Sequence, residues 1–350
     1  MLRTLLLTMV VSVSALAFEV RTDSQGDVVR WEKKVEFVVS RDLADQLRLP
    51  GTMSAVNGAV AAMAAKTAGL EVKVRQGEQP GQLDYSVGAA NQNDIVLLED
   101  WPYESSNLAA TLVTLNARTN VILDADIALN GESAGFVIVN GKPGEAETKY
   151  DLQNTLTHEL GHALGLMHNA SDATSVMYPS AAPGEICKRT LGQDDIAALA
   201  QLYPAVLEPD PAELPPGVGC SSVPAPVPLA LLLALLLLGS SRRRRLALLL
   251  VGASAALAAD PVEPEEISWG EVVETSSRWL PETKVIVTEV EVEVQRCVKG
   301  ACVERRVKLQ VLGGRVGELE QVVTHQPAPK RGSQVVLTRR SGHLRMTIAR

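Results

Sequence analysis

The segment His158-Glu159-Leu160-Gly161-His162-Ala163-Leu164-Gly165-Leu166-Met167-His168 constrains this chain more than any other stretch. Apolar periodicity is helical between Asp151 and Met167, and Gly165 lies near where that helix should stop. Residues four apart on a helix project from one face, so His158 and His162 can aim a ring nitrogen at one point. Glu159 follows one residue on, beside that point and angled away from it, where a carboxylate takes a proton from water instead of ligating. Gly165 can adopt the left-handed backbone that ends a helix and turns the chain, which brings His168 back as a third ligand. Three nitrogen ligands and an open fourth position suit one catalytic zinc ion, whereas a structural zinc site is closed. HExxH by itself is a weak signal, because isolated histidines are commonly surface or hydrogen-bonded core residues. Here three of the chain's five histidines, the glutamate and the glycine coincide.

The stretch matches the HExxHxxGxxH signature, so the chain resembles the metzincin peptidases, and Ser175-Val176-Met177-Tyr178-Pro179 is similar to their Met-turn. The likeness is greatest to the matrixins. It runs from about Val28 to Pro204, with Leu191 to Tyr203 similar to the closing helix that follows the Met-turn. The resemblance implies that Met177 packs beneath the three histidines and that Glu159 is the general base of zinc-assisted peptide hydrolysis. It also implies an extended substrate lying main chain to main chain along an edge strand, here Leu108 to Leu115. Pro179 occupies the place where some metzincins carry a ligating tyrosine, so Tyr178 is excluded as a ligand. Two features of animal matrixins are not expected. A second, structural zinc lacks histidines, since none stands in this region outside His158, His162 and His168, and cysteine-switch latency lacks a cysteine before Cys187. Asp residues and loop carbonyls are compatible with bound calcium, but no spacing specifies a calcium loop.

Around the motif the chain reads as α/β (α+β), a metzincin-like catalytic domain with a mixed twisted sheet, an active-site helix and a closing helix. Strands are expected at Val35 to Val39, Leu70 to Val74, Asp94 to Leu98, Ala110 to Leu115 and Asn120 to Ala128. The Ala-rich stretch from Ser54 to Thr67 should be helical. A last helix should run from Gln193 to Leu202, with acidic Asp194 and Asp195 at its positive end and Pro204 beyond its stop.

Residues 1–17 combine basic Arg3, an apolar stretch and small Ala15 and Ala17, the pattern of a signal peptide cleaved after Ala17. Export permits disulfides among Cys187, Cys220, Cys297 and Cys302. The catalytic domain is expected over 18–205, followed by a Pro- and acid-rich linker over 206–222 and two apolar segments flanking Arg242 to Arg245 over 223–259. Val223 to Gly239 is about the shortest length for a membrane span, so membrane association through 223–259 is expected, with the arginines on the cytoplasmic side. Gly219-Cys220 ahead of such a span resembles the sorting tails of myxobacterial surface proteins, although here the chain continues. Arg242 to Asp260 also reads like a second signal peptide, which leaves a membrane hairpin, a processed tail or a join of two exported proteins as readings. Residues 260–350 are expected to form a small β-rich module. Val285 to Val294 alternates as a strand, and Cys297 and Cys302 could close a hairpin about a Lys299-Gly300 turn.

With 46% hydrophobic and 21% charged residues the chain has an ordinary globular balance. A net charge of −8 disfavours nucleic acid as a partner. The reading is thus an exported zinc metalloendopeptidase acting on polypeptide substrates, extracellular, at the cell surface or periplasmic. The alternatives are a zinc-binding pseudoenzyme or a surface scaffold module, and retention of Glu159 argues against the first.

Overall fold

A computed structural model describes residues 18–205 and 264–349, apart from 24, 141–145, 147, 303, 327, 341 and 342. The expected signal peptide, the linker and both apolar segments lie outside the described residues. The chain divides into two compact units, one within Met1–Cys220 and one within Ser221–Arg350.

The first unit opens with β1 (Lys34–Val39), the short α1 (Leu43–Leu47), α2 (Thr52–Ala64) and β2 (Glu71–Gln76). Then come β3 (Asn93–Leu98), β4 (Ala109–Asn116), β5 (Val121–Asn130) and a two-residue pair, β6 (Phe136–Val137) and β7 (Tyr150–Asp151). It closes with α3 (Leu152–Ala163), a 3-10 turn at Cys187–Arg189 and α4 (Gln193–Leu202). Strand pairing gives the order β4-β5-β3-β1-β2 within this unit, parallel throughout except for antiparallel β4 against β5. The sheet is therefore mixed, as the alternating β-α start required, with its one antiparallel pair formed by strands joined through the short turn 117–120. β4 and β5 are buried almost throughout, and β3 is buried over residues 94–96.

Helices α2 and α3 pack together, with α3 also against β4 and β5. Leu152, Leu156, Leu160 and Leu164 recur every four residues and are all fully buried, so one stripe of α3 is committed to the core. Asp151 caps the helix by accepting from Asn154 N at 2.8 Å, a contact worth about 1 kcal/mol. Arg189 grips the same carboxylate through Nε and Nη2.

Most expected elements appear within a residue or two of their positions. The helix of the motif is shorter than its apolar pattern, stopping at Ala163 instead of reaching Met167. Gly165 takes φ +96°, which no helix continues. Helix α1 has too few residues to carry a periodic signal and was not expected.

The second unit comprises β8 (Glu266–Leu280), β9 (Val285–Lys299), β10 (Arg306–Leu312), β11 (Gly314–Val316), β12 (Leu319–Val323), β13 (Gln334–Arg340) and β14 (His343–Ile348). An antiparallel sheet runs β10-β9-β8-β13-β14, and β11 pairs with β12 as a hairpin. Val272, Val290, Val292, Val307, Val335, Leu337 and Met346 form its core. On β9, Val290 and Val292 face inward while Glu289, Glu291 and Glu293 alternate with them, the period-two pattern visible in the sequence. Cys297 and Cys302 are bridged, with Cα atoms 5.7 Å apart. The tight hairpin expected about Lys299-Gly300 does not form as a ladder: β9–β10 pairing begins at Glu293↔Arg306, and the end of β9 pairs with β8 instead.

Candidate metal centre

Two turns of α3 and the loop behind it bring the motif's polar groups to one place. Each of the three histidines offers a ring nitrogen within 4.8 Å of the others'. Ring centroids of His158, His162 and His168 lie 4.7–5.3 Å apart. His158 and His162 are buried and His168 is half-buried.

The orientation of two rings is fixed from behind. His158 Nδ1 lies 2.7 Å from Val176 O and His162 Nδ1 lies 2.9 Å from Leu166 O. A carbonyl oxygen can only accept, so each Nδ1 carries the proton and each Nε2 keeps its lone pair. His162 Nε2 and His168 Nε2 are 3.2 Å apart. Nitrogens bound tetrahedrally to one zinc at about 2.0–2.1 Å stand roughly 3.3 Å apart, so the donor set fits that ion and the His162–His168 pair is already at that spacing.

The support beneath the rings is long-range. Met177 is buried, and a Cβ placed on Gly161 would sit 2.3 Å from its sulfur. Glycine at that mid-helix position, which costs about 1 kcal/mol relative to alanine, makes room for the methionine under the helix. Gly165 also has no room for a side chain, since a Cβ there would meet Val29 O at 2.8 Å. Carbonyls left unpaired at the end of α3 are met by side chains: Trp31 Nε1 donates to Ala163 O at 2.9 Å and Tyr203 Oη to Leu164 O at 2.7 Å.

Helix α4 ties down both loops of the site through its first turn. Asp195 accepts from Ser175 Oγ at 2.6 Å, from Val176 N at 2.9 Å and from Gly192 N at 2.9 Å. Asp194 accepts from Asn169 Nδ2 at 2.6 Å, one residue past His168. The exit of the methionine loop is held by buried Lys188, whose ammonium donates to Tyr178 O and Ser180 O. Burial pulls its pKa down, against the opposing pull of Glu185, Glu159 and Asp195.

Residues 16–204, more than half of the chain, match the family described as Matrixin. The chain belongs to the matrixin family.

Similarity to individual proteins is local. This matrixin is 38% identical over 68 residues to metalloendoproteinase 1-MMP of Arabidopsis thaliana, covering 19% of this chain and 18% of that one. It is 46% identical over 54 residues to metalloendoproteinase 1 of Glycine max, covering 15% of this chain and 17% of the relative. With human matrilysin it shares 49% identity over 47 residues, 13% of this chain and 17% of the other. The chain thus spans less than a fifth of the length of these curated relatives. Among solved structures, metalloproteinase-II from Bacteroides fragilis aligns over 55% of this chain and 59% of its own, at 13% identity and a TM-score of 0.29.

Sequence reading placed Glu159, His158, His162, His168, Gly165 and Met177 in this region, and the fold brings all six together. It did not find the second role of Asp194 and Asp195, read there only as helix-start charges, nor Gly161, Lys188 or Thr111. Glycine inside a strongly helical pattern was the one local signal available for Gly161. Thr111, on β4, has none: its contact with Glu159 spans 48 residues of sequence.

Proposed function

We propose that this matrixin is a zinc-dependent endopeptidase in which His158, His162 and His168 hold one zinc ion and Glu159 is the general base. The observation that carries the reading is the convergence of three ring nitrogens, two of them with their other nitrogen tied to a carbonyl, on a helix where buried Glu159 follows His158. When bound, zinc supplies Lewis acidity toward water and the scissile carbonyl.

The protein's own groups do the rest. Val176 O and Leu166 O hold His158 and His162 in the tautomer that directs Nε2 inward. Glu159 takes a proton from the attacking water and delivers it to the departing amine nitrogen. In this reading an extended polypeptide substrate lies main chain to main chain along Leu108 to Leu115. Gly165 and Met177 serve the site as supports. Calcium enters no step of this reading.

Export through residues 1–17, anchoring through 223–259 and action on extracellular or surface polypeptides complete the reading, and they rest on the sequence pattern alone. No helix among the described residues is long and apolar enough to cross a membrane.

Metal removal tests the central claim. Purified full-length protein should contain one zinc per chain, cleave an unstructured polypeptide such as casein, and lose cleavage on dialysis against a chelator. Restoring zinc should restore it. Folded protein that contains no zinc with all three histidines intact, or cleavage indifferent to chelation, overturns the reading.

A further inference from the structure

We propose that Thr111 is the positioning residue for the base, an inference that rests on the role given to Glu159 above. Thr111 lies on β4 and is completely buried. Its Oγ1 stands 2.7 Å from Glu159 Oε2 and 3.2 Å from Glu159 O. A hydroxyl has one proton to donate, and the nearer, charged carboxylate oxygen is the stronger acceptor. Glu159 is itself buried, at 2% exposure.

The pairing is held from both sides. Thr111 stands opposite Ile127 in the β4–β5 ladder, and its β-branched side chain has a restricted χ1. Glu159 stands in the middle of α3, which packs on β4. A glutamate has three side-chain torsions to fix, and backbone position alone does not fix them. The hydroxyl supplies a fixed point for them by holding Oε2. Misplacing a catalytic group by about 1 Å can cost on the order of 100-fold in rate, which sets the scale of what such a contact protects.

The test uses full-length protein and four substitutions, Thr111→Val, Thr111→Ser, Thr111→Ala and Glu159→Gln, reading kcat, KM and zinc content for each. Thr111→Val keeps the shape and removes the donor. It should lower kcat by about 10- to 100-fold with KM within about twofold of the parent and zinc still at one per chain. Serine and alanine both lack the methyl group and differ by the hydroxyl, so Thr111→Ser should turn over at least about fivefold faster than Thr111→Ala. That comparison decides the matter if the valine variant does not fold. Equal kcat for the serine and alanine variants overturns the proposal, as does a valine variant with parental kcat or one that fails through lost zinc. A zinc-loaded parent that cleaves no peptide would overturn the base assignment itself. An active parent with an inert Glu159→Gln variant and an unaffected Thr111→Val variant would overturn the positioning role alone.

Discussion

At the residue scale, Glu159 and the histidines occupy one small volume but should respond differently to substitution. Glu159→Gln keeps the size and hydrogen bonding of the side chain and removes its basicity. Zinc should stay bound, the fold should persist, and turnover should fall by at least the ~100- to 10,000-fold typical of general acid–base catalysis. His162→Ala removes a nitrogen that stands 3.2 Å from its partner on His168, so metal content should fall together with activity. Zinc analysis beside peptide cleavage distinguishes the two classes. Cleavage at near the parental rate by zinc-loaded Glu159→Gln would mean that another group activates the water.

Two carboxylate arrangements at the scale of elements have opposite chemistry. In α4, Asp195 accepts from three donors, two in the methionine loop and one at its own helix start. Asp195→Ala leaves Ser175 Oγ and Val176 N buried without it, at about 1–3 kcal/mol for each unsatisfied group. A drop of roughly 2 kcal/mol or more in unfolding free energy is expected by urea titration, with weaker zinc retention because Val176 O orients His158. An unchanged midpoint would show that α4 does not brace the loop.

On β5, Asp124 and Asp126 face the same side of the strand and are 1% and 0% exposed. Among the described residues no amide, hydroxyl or basic group donates to either oxygen of Asp124 or to Asp126 Oδ2. Burial first, then the nearby carboxylates Asp84 and Asp94, push Asp124 up to about 8, while the hydrogen bond with Asp126 pulls it the other way. Asp126 is raised well above the usual carboxylate range by burial and by the charge of Asp124. Two carboxylates acting only as acceptors cannot satisfy each other, whereas a shared proton lets one donate. The folded pKa exceeds the unfolded value of about 4, so the contribution is complete below that pH and is lost as pH rises toward 8. Thermal unfolding followed from pH 4 to 8 should show this decline, flattened in Asp124→Asn. A midpoint at pH 8 that rises with added calcium in the parent and not in Asp124→Asn would replace the shared proton by a cation.

For the whole molecule, every group assigned to the reaction precedes Pro179, while the β-rich unit carries its own core and its own disulfide. Hydrolysis therefore should not require residues beyond Asp260. A chain ending at residue 205 should keep one zinc and turn over at least as fast as the full-length protein, compared on the same polypeptide. Slower turnover by a folded, zinc-loaded truncation would assign the second unit a part in catalysis.

Much of this was legible because it is local. Helical periodicity places His158 and His162 on one face, Gly165 breaks the helix where only a left-handed residue serves, and alternating valines and glutamates mark β9. Each of these depends on neighbours within a few positions, which the chain states directly. Tertiary structure alone decided that Thr111 of β4 meets Glu159, that Gly161 makes room for Met177, and that Asp194 and Asp195 hold loops begun some twenty residues earlier. It also decided that the end of β9 pairs with β8 and not across the Cys297–Cys302 turn. Spacing along the chain specifies which side chains share a face of one element. Which elements lie against each other depends on burying the whole set of apolar faces at once, and no single segment carries that information.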